Sequence, residues 1–126
     1  ISAIEPLFVA GGFALYVNAH DAQKAVEAYG RALELQPNDP NVLTDQGVMY
    51  RELRQYDRAI QNFEKASKAD ATHIQSLFNM GVVYSTDLRQ PQKALEAWNK
   101  VIQVAPASPQ AAQARQAIAQ LGAKAP

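Results

Sequence analysis

Three times along this chain a glycine, a bulky apolar residue and an alanine return in the same register. Leu43, Gln46, Gly47 and Tyr50 are followed by Ala59, Phe63 and Ala66. Leu77, Met80, Gly81 and Tyr84 are followed by Ala94, Trp98 and Val101, and Phe8, Gly11, Gly12 and Leu15 by Ala25, Tyr29 and Ala32. A repeat this long marks a supersecondary unit that cannot bury its apolar face alone and must stack on copies of itself. The units run over 5–39, 40–73 and 74–108 and are 34 or 35 residues long. From the glycine to the next alanine the spacing is 12 in the middle unit and 13 in the outer two. The extra residue is expected in the turn, where an insertion costs little chain entropy.

Each unit carries two helical stripes. The first places apolar or small residues at i, i+4 and i+7, as in Leu43, Gly47 and Tyr50, which is one face of a helix. Turn-like stretches follow at Asn18–Asp21, Arg54–Asp57 and Leu88–Pro91, and a second stripe ends each unit. Pro37 and Pro106 stop two second helices, because proline cannot continue the hydrogen-bond ladder. Asp39-Pro40 and Ser108-Pro109 suit an N-cap followed by proline at the first helical position, and Pro91 opens the second helix of unit three. A glycine within a helix costs about 1 kcal/mol relative to alanine. Gly12, Gly47 and Gly81 are therefore read as holes at a close helix crossing, which Tyr29, Phe63 and Trp98 of the second helix fill.

This arrangement resembles the tetratricopeptide repeat, whose signature has a large apolar residue, Leu-Gly, Tyr, Ala, an aromatic residue and a closing proline. The departures are Leu15 in place of the tyrosine in unit one, Ala71 in place of the proline in unit two, and Phe8, Leu43 or Leu77 in place of the leading tryptophan. The resemblance implies an all-α fold, a right-handed superhelical solenoid of three helix pairs with a C-terminal capping helix, in a single domain over 1–126. The cap is expected over 109–121, where Ala111, Ala114, Ile118 and Leu121 form an apolar stripe opposite Gln110, Gln113, Gln116 and Gln120. Gly122 is expected to stop it.

Charge and composition narrow the function. Lys+Arg and Asp+Glu are 12 each and no block of like charge occurs, so the basic face of a nucleic-acid binder is missing. The chain has no cysteine, so thiolate chemistry is excluded. The longest apolar run, Leu7–Val17, has 11 residues where a membrane span needs about 20, so no direct membrane insertion by this segment is expected. His20 and His73 read as solvated turn residues, without the neighbours that would complete a metal site. Ser85-Thr86-Asp87 has no nearby histidine to make it a nucleophile, and Gly11-Gly12 lacks the spacing of a phosphate loop. No catalytic residue, cofactor or metal is expected, and the chain is not expected to be an enzyme. The glutamine and alanine content points to a bacterial source.

Surface recognition remains. In the resembled family the first helices of successive units line a concave groove that receives a peptide or a partner helix. By helical phase the groove residues here are Val9, Phe13, Tyr16 and Val17 in unit one. Unit two adds Asn41, Thr44, Asp45, Val48, Arg51 and Glu52, and unit three Gln75, Phe78, Asn79, Val82 and Ser85. The resemblance thus implies an apolar ridge, Val9, Phe13, Val48, Phe78 and Val82, edged by Asp45, Arg51 and Asn79. Such a ridge suits an apolar or amphipathic partner segment, with Phe13 and Phe78 as exposed anchors. Val9, Phe13 and Phe78 replace polar residues with which some members grip chaperone C-termini, which argues against that ligand. The alternatives are homo-oligomerisation through the apolar first helix, and the soluble part of a membrane-anchored assembly factor.

Overall fold

The structure, a computed structural model, describes residues 7–8, 14–15 and 19–124, with side chains from 21 to 122. Among the described residues six α-helices follow in order: α1 (Ala19–Leu35), α2 (Pro40–Glu52), α3 (Tyr56–Ala69), α4 (Ile74–Val82), α5 (Pro91–Val104) and α6 (Pro109–Lys124). Each helix packs on the next, and α4 also touches α2 and α6. The first helices of units two and three thus form one layer, which α6 extends. This is the all-α solenoid that the repeats require.

The helix boundaries follow local chemistry. The Asp39 carboxylate accepts the N–H groups of Asn41 and Val42 at 3.0 and 3.3 Å and caps α2, with Pro40 at its first position. Ser108 Oγ caps α6 by accepting Ala111 N–H at 3.0 Å, again just before a proline. Pro91 opens α5. Such a cap satisfies backbone donors that the helix itself cannot.

Three expectations need correction. The turn placed at Asn18–Asp21 is already helical from Ala19, and α6 runs past Gly122 to Lys124. The first helix of unit one is absent at its described positions. There, β1 (Leu7–Phe8) pairs antiparallel with β2 (Ala14–Leu15), with Leu7 opposite Leu15, and β1 lies beside α4. Two consecutive glycines, each costing about 1 kcal/mol in a helix, weaken helix formation in this apolar stretch.

The core is one contiguous cluster. Phe63 and Trp98 are fully buried, together with Ala59, Ala94 and Val101 from the same helices and Ala111 and Ala114 from α6. The alanines of the repeat let neighbouring helices approach, and the aromatics fill the space between them.

Candidate interaction surface

The geometry of the helix crossings comes first, because it fixes which residues can reach a partner. A Cβ on Gly47 would lie 2.5 Å from Cε1 of Phe63, and a Cβ on Gly81 would clash with the Trp98 ring, 2.5 Å from Cδ1. Both glycines leave room for an aromatic face laid directly on helix backbone. Trp98 also needs a partner for its buried N–H, and it donates to the Phe78 carbonyl oxygen at 3.2 Å. Tyr29 of unit one is half-buried, and burial followed by the nearby Asp45 carboxylate raises its phenol above the ordinary range.

Val9, Phe13, Tyr16, Val17 and Gly12 lie outside the residues described. Of the other expected groove residues, the structure places Thr44, Val48, Arg51, Phe78, Asn79 and Val82 in the interior. Phe78 was expected as an exposed anchor and is only 6% exposed. Its ring packs against Trp98, with centroids 6.4 Å apart. The physical reason lies in helix phase, since this side of α4 meets the aromatic residue of α5 in its own unit rather than solvent. Asp45, Glu52, Gln75 and Ser85 are half-exposed and Asn41 is exposed.

Arg51 is corrected too. It was expected as a rim charge, but its guanidinium makes a two-pronged contact with Asp87, Nε to Oδ2 at 2.6 Å and Nη2 to Oδ1 at 3.2 Å. The two side chains are 5% and 10% exposed. Asp87 reaches Arg51 from a π-helical turn, Val83–Asp87, that extends α4. This turn is also where the extra residue of unit three resides. In unit two Gln55 N–H closes on Tyr50 O at 2.9 Å, whereas Gln90 N–H closes on Tyr84 O at 2.7 Å across one more residue. Both turns then pass through a left-handed arginine, Arg54 (φ 61°) and Arg89 (φ 54°). The insertion therefore sits in the helix and leaves the turn itself unchanged. Burial raises the Glu52 carboxyl above its ordinary range, with Arg51 opposing and Asp87 adding to the effect.

Two further sets of residues tie the units together, and neither was read from the sequence. Gln46 donates to the Val26 carbonyl of α1 at 3.0 Å and accepts from Asn62 of α3 at 2.7 Å, while Asn62 also donates to Leu43 O at 3.1 Å. A buried amide survives in a core when its groups are paired in this way. His73, expected to be solvated, is buried at the start of α4. Its Nδ1 accepts Ser76 N–H at 3.4 Å, and its Nε2 lies 2.9 Å from Asn41 Oδ1 at the start of α2. Burial pushes the imidazole below its ordinary pKa, with Asp70 and Asp39 opposing more weakly. The sequence signal for this role was a histidine one residue before a helix, three residues ahead of a serine.

A cation covers the repeat tyrosine in both units. Arg58 lies 5.8 Å from the Tyr50 ring centroid and Lys93 lies 5.5 Å from that of Tyr84. Each immediately precedes the alanine of the repeat. Among the described residues no group of three or more histidine or acidic side chains is placed to hold a metal ion, and no helix is long and apolar enough to cross a membrane.

Family models described as tetratricopeptide repeat match residues 15–39, 28–61 and 75–108. The chain belongs to the tetratricopeptide repeat family. The small glutamine-rich tetratricopeptide repeat-containing protein 2 of Mycosarcoma maydis is 33% identical over 92 residues, which is 73% of this chain and 26% of that protein. The mouse protein O-mannosyl-transferase TMTC1 is 37% identical over 62 residues, 46% of this chain and 7% of that protein. The chain thus spans about a quarter of the first relative and far less of the second, and the transferase activity is named for that protein. These relatives are fungal and mammalian and lend no support to a bacterial source. The first tetratricopeptide domain of human RPAP3 superposes with a TM-score of 0.72 at 17% identity, covering 82% of this chain and 81% of that one. That likeness shows the fold. A repeat array of this family is, in general, a protein-interaction scaffold.

Proposed function

We propose that this chain is a module without chemistry of its own that holds an apolar or amphipathic segment of a partner protein along the layer of first helices, α2 and α4. The observation that carries the reading is the rigid seating of these two helices. Aromatic wedges at Gly47 and Gly81, the Arg51–Asp87 contact and the His73–Asn41 bridge each connect or brace them. A face held this firmly loses little entropy when a ligand docks. Val48, Phe78 and Val82 lie buried beneath this face, and Asp45, Gln75 and Ser85 are the side chains a partner meets.

The test places a photo-crosslinking residue at Gln75 and irradiates the protein in lysate of its own source. One dominant foreign protein, no longer captured when Asp45 is changed to Arg, supports the reading and identifies the partner. Adducts only to a second copy of the chain favour self-association instead. Foreign adducts that are indifferent to Asp45→Arg overturn this choice of face.

A further inference from the structure

The face formed by α2 and α4 is not bare. β1 lies beside α4 and is paired with β2 through Leu7–Leu15 and Phe8–Ala14. A ribbon of two strands is marginal by itself in water and needs an apolar surface to lie on. Val48 and Val82 supply one. Each follows a wedge glycine by one residue, about 100° around the helix, and so is turned away from Phe63 and Trp98. They are nevertheless only 0% and 2% exposed. Thr44, one turn before Val48, is also fully buried, and its Oγ1 has no hydrogen-bond partner among the described residues. A hydroxyl left in this way costs energy that water on an open groove would relieve. These residues have the phase of a groove and the burial of a core.

We propose that the strand pair β1–β2 is an internal ligand of this face, an autoinhibitory strap that a partner must displace before it reaches Val48 and Val82. Three observations select this occupant over a second copy or a foreign chain. β1 is already at α4 within one chain. The run Leu7–Val17, which contains both strands, carries no charge and so matches valines rather than a rim of ions. β2 ends at Leu15 and α1 begins at Ala19, so the tether is short and holds the strap at an effective concentration in about the millimolar range. The orphaned Thr44 hydroxyl disfavours the covered state and leaves displacement within reach of a partner. That a partner displaces the strap rests on the function proposed above; that the strap covers the face does not.

The experiment uses the whole 126-residue chain with p-benzoyl-phenylalanine in place of Phe8. Irradiated at high dilution and analysed by mass spectrometry after digestion, it is expected to show crosslinks within one chain to α2 or α4. Crosslinks between two copies, crosslinks confined to α3 or α5, or none at all overturn the proposal. In a second arm, Leu7→Asp with Leu15→Asp releases the strap, with helicity by circular dichroism unchanged. A fluorescein-labelled synthetic peptide with the sequence of residues 5–17 and a lysine tail is then added. Fluorescence anisotropy is expected to show binding to this variant at least about tenfold tighter than to the parent, whose face is occupied. Equal affinity for parent and variant, or equal binding of a scrambled peptide, overturns the proposal. The crosslink is read on a chain without the charged substitutions, so it decides even where the double variant unfolds. Crosslinks to α2 or α4 with no foreign capture by the Gln75 probe would leave the strap standing and remove the partner reading. Foreign capture without such crosslinks does the reverse, so the two can fail separately.

Discussion

At the scale of single residues, the two described glycines of the repeat show how a local penalty is offset by packing. Gly47 gives up about 1 kcal/mol of helix propensity so that the Phe63 ring can rest on its backbone. Gly47→Leu forces a branched side chain into that ring, and overpacking of this kind costs at least about 1–3 kcal/mol. The expected result is a chain that melts far below the parent or fails to fold, and a melting temperature within a couple of degrees of the parent would refute the crossing argument. His73 makes a pH prediction. Its folded pKa is depressed, so below about 6.5 the unfolded chain binds a proton that the folded chain resists. Stability is then lost as pH falls through that value toward the folded pKa, and below the folded pKa the loss levels off. Urea titrations between pH 7.5 and 5 should show this decline in the parent, and His73→Gln should lack it. Parallel curves for the two proteins would remove His73 as the cause.

Between elements, the decisive contact is the one that the π turn makes possible. One residue added to α4 moves Asp87 to where both its oxygens meet the Arg51 guanidinium. Removing one member of a buried pair leaves the other charged and without compensation. Asp87→Ala is therefore expected to destabilise by on the order of 3 kcal/mol, and Arg51→Met combined with Asp87→Leu is expected to regain most of it. Denaturant midpoints of the single and double variants form the check; a double variant as unstable as the single one would show that the pair matters for shape rather than charge. The insertion was legible as a spacing of 13 against 12. Its location was not, since a turn and a helix can each absorb one residue and only the neighbouring Arg51 distinguishes them.

For the whole molecule, stability comes from neighbour-to-neighbour interfaces, as in any linear array. Ala111 and Ala114 of α6 are fully buried against a layer that would otherwise end in open apolar surface. Truncation after Ser108 is expected to lower the melting temperature by several degrees and to cause concentration-dependent association, measured by light scattering. A truncated chain that stays monomeric and melts like the parent would show that α6 contributes no closure.

What the sequence by itself determined is the repeat: its period, the helix pairs of units two and three, the prolines and caps at the boundaries, and the pairing of Gly47 and Gly81 with an aromatic. These depend on short-range chemistry, in which spacing maps directly onto one helix face. Tertiary structure alone decided exposure. Phe78, Val82 and Arg51 lie on the helix side that phase assigned to a groove, yet they are buried, because a residue between packed elements faces its neighbour before it faces water. It also decided the fate of the polar residues Gln46, Asn62 and His73, whose partners lie 16 to 32 residues away in the chain. No local pattern specifies such partners; they meet because the helices that carry them are stacked.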